Sequence, residues 1–286
     1  MQDSILPPEL VERVLARLGF PQRPEPTPEN LRRLYAAWCQ RVPFDNVRKL
    51  IHLRAGSAAP FPGGAAPDFF EAWLKHGTGG TCWANAGACH ALWQSLGFAA
   101  ERGLGTMMAA PNLPPNHGTV RVRFGSDHYL TDGSILHGEP LPLNGAAETQ
   151  IANPAWGLRA SQRDGKWHLT WRPLHKVDGL ECRLESFGLS GTDYHQRYEQ
   201  TRGWGPFNFE VYARQNKADR VLGVAFGKSV VLKSDGTTES RPISDAERRQ
   251  FLIEQIGLSE EIISQLPADQ PTPPPPGSKT AAMQDI

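Results

Sequence analysis

The chain has 286 residues, 39% of them hydrophobic with eight Trp and 12 Phe, which can fill a sizeable core and excludes wholesale disorder. Thirty basic and thirty acidic side chains cancel, which argues against a protein held on nucleic acid by bulk charge. No run approaches the roughly 20 apolar residues that span a bilayer, and the opening residues lack the basic-then-apolar order of a secretory signal.

The first 98 residues read as helices. Glu9 to Leu18 sets Leu10, Val11, Val14, Leu15 and Leu18 on one stripe, and Gly19 stops it. Thr27 caps a second helix with Pro28 at its first position, and Leu31, Leu34, Tyr35 and Trp38 line its inner face. Pro43 ends it. Arg54 to Pro67 is a Gly, Ala and Pro-rich loop, and Asp68 to Lys75 forms a third helix. Thr81 then caps a helix that begins at Cys82, runs an apolar stripe through Ala86, Cys89, Trp93 and Leu96, and closes at Gly97.

From about Ala99 the period changes to two. Val120, Val122 and Phe124 alternate with Thr119, Arg121 and Arg123, Gly125-Ser126-Asp127 turns the chain, and a return strand runs through Tyr129 to Asp132. Trp167 to Trp171, Val221 to Phe226 and Ser229 to Leu232 read as further strands, with Asp235-Gly236 as a turn. Ser244 opens a helix with Glu247 at the capping-box position, and Ser259 opens the last one. Pro267 to Ile286, with its Pro-Thr-Pro-Pro-Pro-Pro run, reads as a disordered tail.

Cys82 is the strongest candidate for chemistry. It follows Gly79-Gly80, which let the backbone approach closely, and a thiol at a helix start sees the positive end of the helix dipole. Free N–H groups there can hold an oxyanion. A nucleophilic thiol needs a base, and the base needs an orienting partner. With the hairpin centred between Gly125 and Ser126, His117 lies opposite Ser134 and diagonal to Asp132, within side-chain reach. His128 and Asp127 sit at the turn and read as solvated. Cys82, Cys89 and His90 do not read as a metal site, because seven helical residues separate the two thiols by about 10.5 Å. The four cysteines (Cys39, Cys82, Cys89, Cys182) are too sparse for a disulfide framework, so a soluble cytoplasmic protein with reduced thiols is expected.

In order along the chain, Pro43-Phe44-Asp45-Asn46, Gly79-Gly80-Thr81-Cys82, Leu96-Gly97-Phe98, His117-Gly118-Thr119-Val120-Arg121-Val122, Tyr129-Leu130-Thr131-Asp132 and Ile256-Gly257-Leu258 form a set. By these residues the chain resembles the arylamine N-acetyltransferases over about residues 8 to 265, as a divergent member. The resemblance implies an α+β fold in three layers. These are a helical bundle over 1–98 carrying the nucleophile, a β-barrel over 99–200 carrying the His and Asp, and an α/β lid over 201–266, before the tail at 267–286. It also implies a papain-like Cys82–His117–Asp132 triad. Cys82 would take an acetyl group from the co-substrate acetyl-CoA as a thioester, and a small arylamine or arylhydrazine would then attack it. His117 would hold the thiolate and relay the proton, and Asp132 would orient the imidazole. No metal, nucleic acid or membrane partner is implied.

The sequence departs from the family pattern at three places. Thr78 stands where the family has arginine, Ala84 where it has Glu or Gln, and Gly133-Ser134-Ile135-Leu136 where it has a Gly-Phe-Gly-like loop. Because that loop and the lid shape the donor and acceptor pockets in the family, two alternatives stand beside the acetyltransferase. One is an amide synthase or other acyltransferase of secondary metabolism with a different acyl donor. The other is an inactive scaffold or binding protein. Preferential alkylation of Cys82 over Cys39, Cys89 and Cys182 separates the enzymes from the scaffold.

Overall fold

The apolar stripes of the N-terminal segment become helices that pack around a single central one. In the computed structural model, which describes residues 5–276 except 110, 112, 146, 147, 154, 156 and 177, α1 (Pro8–Leu18) buries the five stripe residues expected of it. Gly19 ends α1 in the left-handed region, where its amide bonds to the Ala16 carbonyl. The Thr27 hydroxyl caps α2 (Pro28–Arg41) by accepting from the Asn30 amide. A two-residue strand, β1 (Phe44–Asp45), leads into α3 (Val47–Arg54), and neither element was expected from the periodicity. The loop residues after it give way to α4 (Ala66–His76).

α5 (Cys82–Ser95) runs through the middle of the molecule. The sequence pattern predicts one apolar stripe, but α5 is buried on nearly every side, Asn85 and His90 included. Small residues at Ala84, Ala86, Ala88 and Ala91 let neighbours close in, while Trp93 packs with Trp38, which stacks on Phe69 with ring centroids 6.0 Å apart.

The following segment forms an antiparallel sheet of eight strands. In chain order these are β2 (Ala99–Met107), β3 (His117–Phe124), β4 (Asp127–Leu130), β5 (Leu141–Pro142), β6 (Glu148–Gln150), β7 (Arg159–Arg163), β8 (Lys166–Trp171) and β9 (Leu180–Phe187). They order as β5-β4-β3-β2-β9-β8-β7-β6, and the two edges approach each other, so the sheet nearly closes into a barrel. The β3–β4 hairpin keeps the expected register, with Arg121 opposite Leu130 and Val122 opposite Tyr129.

Ser190 caps α6 (Gly191–Gln200), and a second antiparallel sheet follows. It joins β10 (Tyr212–Asn216), β11 (Arg220–Ala225), β12 (Lys228–Lys233) and β13 (Thr238–Pro242), with the N-terminal β1 added at the edge beside β10. The Ser244–Glu247 capping box forms as read and starts α7 (Asp245–Phe251). A wide turn then leads to α8 (Glu260–Ile263). Val47, Val211, Leu222, Leu252 and Ile262 share the apolar cluster beneath this sheet. Among the described residues, no helix is long and apolar enough to cross a membrane.

The start of the tail differs from the disorder expected of it. Asp269 accepts from the Val211 amide and pairs with Arg248, the Gln270 amide bonds to Phe209, and the Thr272 hydroxyl bonds to Glu210. Proline removes backbone donors, but Asp269, Gln270 and Thr272 supply polar groups that composition alone hides. Residues 277–286 lie outside the described residues.

Candidate active site

The loop before α5 is pinned from below. Asp45 accepts from the Gly79 amide at 2.6 Å and from the Val47 amide at 3.0 Å, and it is 1% exposed. Burial pushes its carboxyl up to about 6, against the pull of those two N–H groups. Gly79 is required by contact: a Cβ there would lie 1.8 Å from the Pro43 carbonyl oxygen. Asn46, the next residue, stitches the same segment to the second sheet, accepting from the Tyr212 amide and donating to the Phe207 and Glu210 carbonyls. Asp45 and Asn46 were legible as a motif, but these two separate duties were not.

Held this way, Cys82 begins α5 with 9% of its surface exposed. Thr81 occupies the cap position without a side-chain cap bond, so the first-turn N–H groups are left for another acceptor. The Cys82 thiol sits 3.9 Å from the carbonyl oxygen of Asn116, the residue before His117.

His117 opens β3 opposite Gly105 of β2. Its Nε2 lies 2.7 Å from Asp132 Oδ2, and both residues are buried. The structure thus pairs two of the three candidates directly, His117 and Asp132, although not by the ladder pairing expected. β4 stops at Leu130, and the chain folds into a turn at 133–135 instead of continuing opposite His117. The cause is Asp132 itself. Its Oδ1 accepts from the Ser134 amide at 3.0 Å, the Ser134 hydroxyl at 2.8 Å and the Ile135 amide at 2.8 Å, which ends the strand as a side-chain-closed turn.

Burial opposes the ionised form of Asp132, but the His117 charge and hydrogen bond, with the Ile135 amide, hold the carboxyl well below its usual range. Burial likewise opposes the imidazolium of His117. The Asp132 charge, Cys182, and hydrogen bonds to Asp132 and Cys82 together outweigh it, and the imidazole is raised well above its ordinary value. The other three thiols are pushed up by burial, Cys39 and Cys182 to about 12 and Cys89 also far up.

Helices α2 and α5 fix the Asp132 turn from behind. The Tyr35 hydroxyl donates to the Asp132 carbonyl at 2.7 Å, Trp38 Nε1 to the Gly133 carbonyl at 3.3 Å, and Trp93 Nε1 to the Thr131 hydroxyl at 3.1 Å. Those residues read from the sequence only as apolar faces; their polar tips were the available signal. Leu136 completes the turn with φ 56, a left-handed conformation that an L residue adopts at a cost of about 1 kcal/mol, and Asn216 Nδ2 holds its carbonyl. His128 and Asp127 lie at the hairpin end as expected, Asp127 exposed. Among the described residues, no group of His, Cys, Asp and Glu is placed to hold a metal ion.

The sequence profile of an N-acetyltransferase family matches residues 27–259. The fold is similar to that of the Mycobacterium abscessus arylamine N-acetyltransferase, at 21% identity, covering 89% of this chain and 92% of that one with a TM-score of 0.75. The Nocardia farcinica arylamine N-acetyltransferase shares 20% identity over 89% of this chain and 92% of that one, with a TM-score of 0.74. The Salmonella typhimurium enzyme shares 19% over 87% and 91%, with a TM-score of 0.72. No protein of curated function matches the sequence.

Proposed function

The chain belongs to the arylamine N-acetyltransferase family, as a divergent member, and from that premise we propose that it moves an acetyl group from acetyl-CoA to a small arylamine or arylhydrazine through a thioester on Cys82. The observation that carries this reading is the buried pairing of His117 Nε2 with Asp132 at 2.7 Å, in a fold that sets Cys82 at the start of α5. With Nε2 engaged, Nδ1 is the ring nitrogen left to take the Cys82 proton.

In the first half-reaction the sulfur attacks the acetyl carbonyl, a C–S bond forms, and the π pair moves onto oxygen. The N–H groups at the start of α5, left without a side-chain cap, are the donors that this reading assigns to that oxygen. Collapse expels the CoA thiolate, which takes the proton from His117. In the second half the amine attacks the thioester, His117 accepts the amine proton, and Cys82 leaves as a thiolate. Asp132 stays ionised throughout and holds the imidazole in one orientation. The four free cysteines support a reducing, cytoplasmic setting.

Intact-protein mass spectrometry after mixing with acetyl-CoA tests this directly, with Cys82→Ala as control. A single acetyl adduct on the wild type alone is expected. An unmodified wild type whose Cys82 still alkylates rapidly with iodoacetamide would instead assign a different acyl donor.

A further inference from the structure

α6 brings a hydroxyl into the site that neither the motif set nor the mechanism above uses. Tyr194 lies one turn into α6 and is only 5% exposed, yet its hydroxyl has no hydrogen-bond partner. Its ring meets Trp83, the residue after the nucleophile, with centroids 5.0 Å apart and planes at 67°. The Arg102 guanidinium covers the ring at 5.7 Å. The hydroxyl itself is seated on Gly118, the residue after His117: a Cβ on Gly118 would fall 2.1 Å from the Tyr194 oxygen and 3.0 Å from Trp83 Cε3. One oxygen is therefore wedged between the residues that follow the nucleophile and the base.

A buried hydroxyl without an acceptor destabilises the fold, and phenylalanine would fill the same space without that penalty. Packing therefore accounts for the ring and leaves the oxygen unexplained. Burial, and then the charge of Cys82, hold the phenol far above its ordinary range, so it remains a donor. What it lacks is an oxygen acceptor beside Trp83 and Gly118, the residues that follow Cys82 and His117. The thioester mechanism brings one there.

We propose that the Tyr194 hydroxyl is a catalytic hydrogen-bond donor to the carbonyl oxygen of the acyl group as Cys82 attacks it, a role that rests on the acyl-transfer reading above. As the C–S bond forms and the π pair localises on oxygen, the phenol O–H shortens its hydrogen bond to that oxygen and keeps its proton. On collapse the pair returns to the carbonyl, the leaving thiolate takes its proton from His117, and Tyr194 is unchanged. Gly118 is part of the device, because any side chain there would displace the donor.

Tyr194→Phe keeps the ring and removes only the oxygen. Two reagents separate its roles: acetylation of Cys82 by p-nitrophenyl acetate or acetyl-CoA develops an oxyanion, whereas alkylation by iodoacetamide does not. The variant is expected to acetylate about 10²-fold more slowly, with little change in the half-saturating ester concentration, while alkylating at the wild-type rate. Unimpaired alkylation also certifies the fold of the variant. Wild-type acetylation rates in the variant would overturn the proposal, and so would equal slowing of acetylation and alkylation, which would make Tyr194 a positioning residue. A wild type acetylated by neither reagent would overturn the acyl-transfer reading and this role with it.

Discussion

His117 gives Nε2 to Asp132 Oδ2 at 2.7 Å, while the other oxygen of the same carboxylate closes the turn at Ser134 and Ile135. One carboxylate thus both shapes the backbone that carries it and fixes which imidazole nitrogen it engages.

Asp132→Asn separates these duties. If the amide oxygen keeps the turn, its NH₂ group faces His117 and donates to Nε2. The imidazole must then carry its hydrogen on Nδ1, where it cannot accept the thiol proton. The expected result is a loss of about 10²–10⁴-fold in acyl transfer, by analogy with the same change in serine-protease triads, with a modest drop in thermal midpoint. Steady-state kinetics and a melting curve on the same preparation check both.

Thiol reactivity should isolate one cysteine. Cys39, Cys89 and Cys182 are at most 1% exposed and raised by burial, whereas Cys82 stands at a helix start with 9% exposed. Under limiting iodoacetamide, peptide mapping is expected to place the first label on Cys82 alone. Cys82→Ala should remain folded, take no fast label and transfer no acyl group.

The paired charges make stability depend on pH from two sides. His117 is raised in the fold, so its contribution is complete below the unfolded value of about 6.5 and is lost as pH climbs through the raised one. Asp132 is lowered, so its contribution is present above about 3.9 and disappears as pH falls through the depressed value. The melting advantage of the wild type over His117→Gln should therefore shrink upward from about pH 6.5. A constant advantage across that range would contradict the assignment.

Asp45→Ala removes the acceptor for the Gly79 and Val47 amides while relieving a buried carboxylate. The net effect is expected to be about 2 kcal/mol of lost stability, read from the denaturant midpoint. Slower alkylation of Cys82 should accompany it, because Gly79 no longer fixes the approach to α5.

Much of this site was readable because its signals are local. Thr27, Ser244 and the Gly125-Ser126 hairpin act within a few residues, and each took the geometry its chemistry dictates. The meeting of His117 with Asp132 was legible through hairpin register, although the turn at Ser134 replaced the ladder. Four features lay beyond such reasoning. β1 is only two residues and becomes a strand through β10. α3 follows directly after it, and its Val47, Leu50 and Ile51 stripe is too short to stand out as a period. α6 is mostly polar, and its two buried tyrosines declare themselves only against α5 and the Phe61 loop. The grip of Tyr35 and Trp38 on the Asp132 turn depends on partners more than 90 positions away.

The stitch made by Asn46 has a consequence for the nascent chain. Asn46 and Tyr212 are 166 positions apart, and Asp45 beside it positions the loop that carries Cys82. A ribosome-bound chain that has not yet exposed β10 holds every residue of the nucleophile loop but lacks half of its anchorage. Such long-range closure is slow, and it falls late in synthesis. The loop that carries Cys82 therefore gains its full anchorage only after the 166 positions that separate Asn46 from Tyr212 have been made.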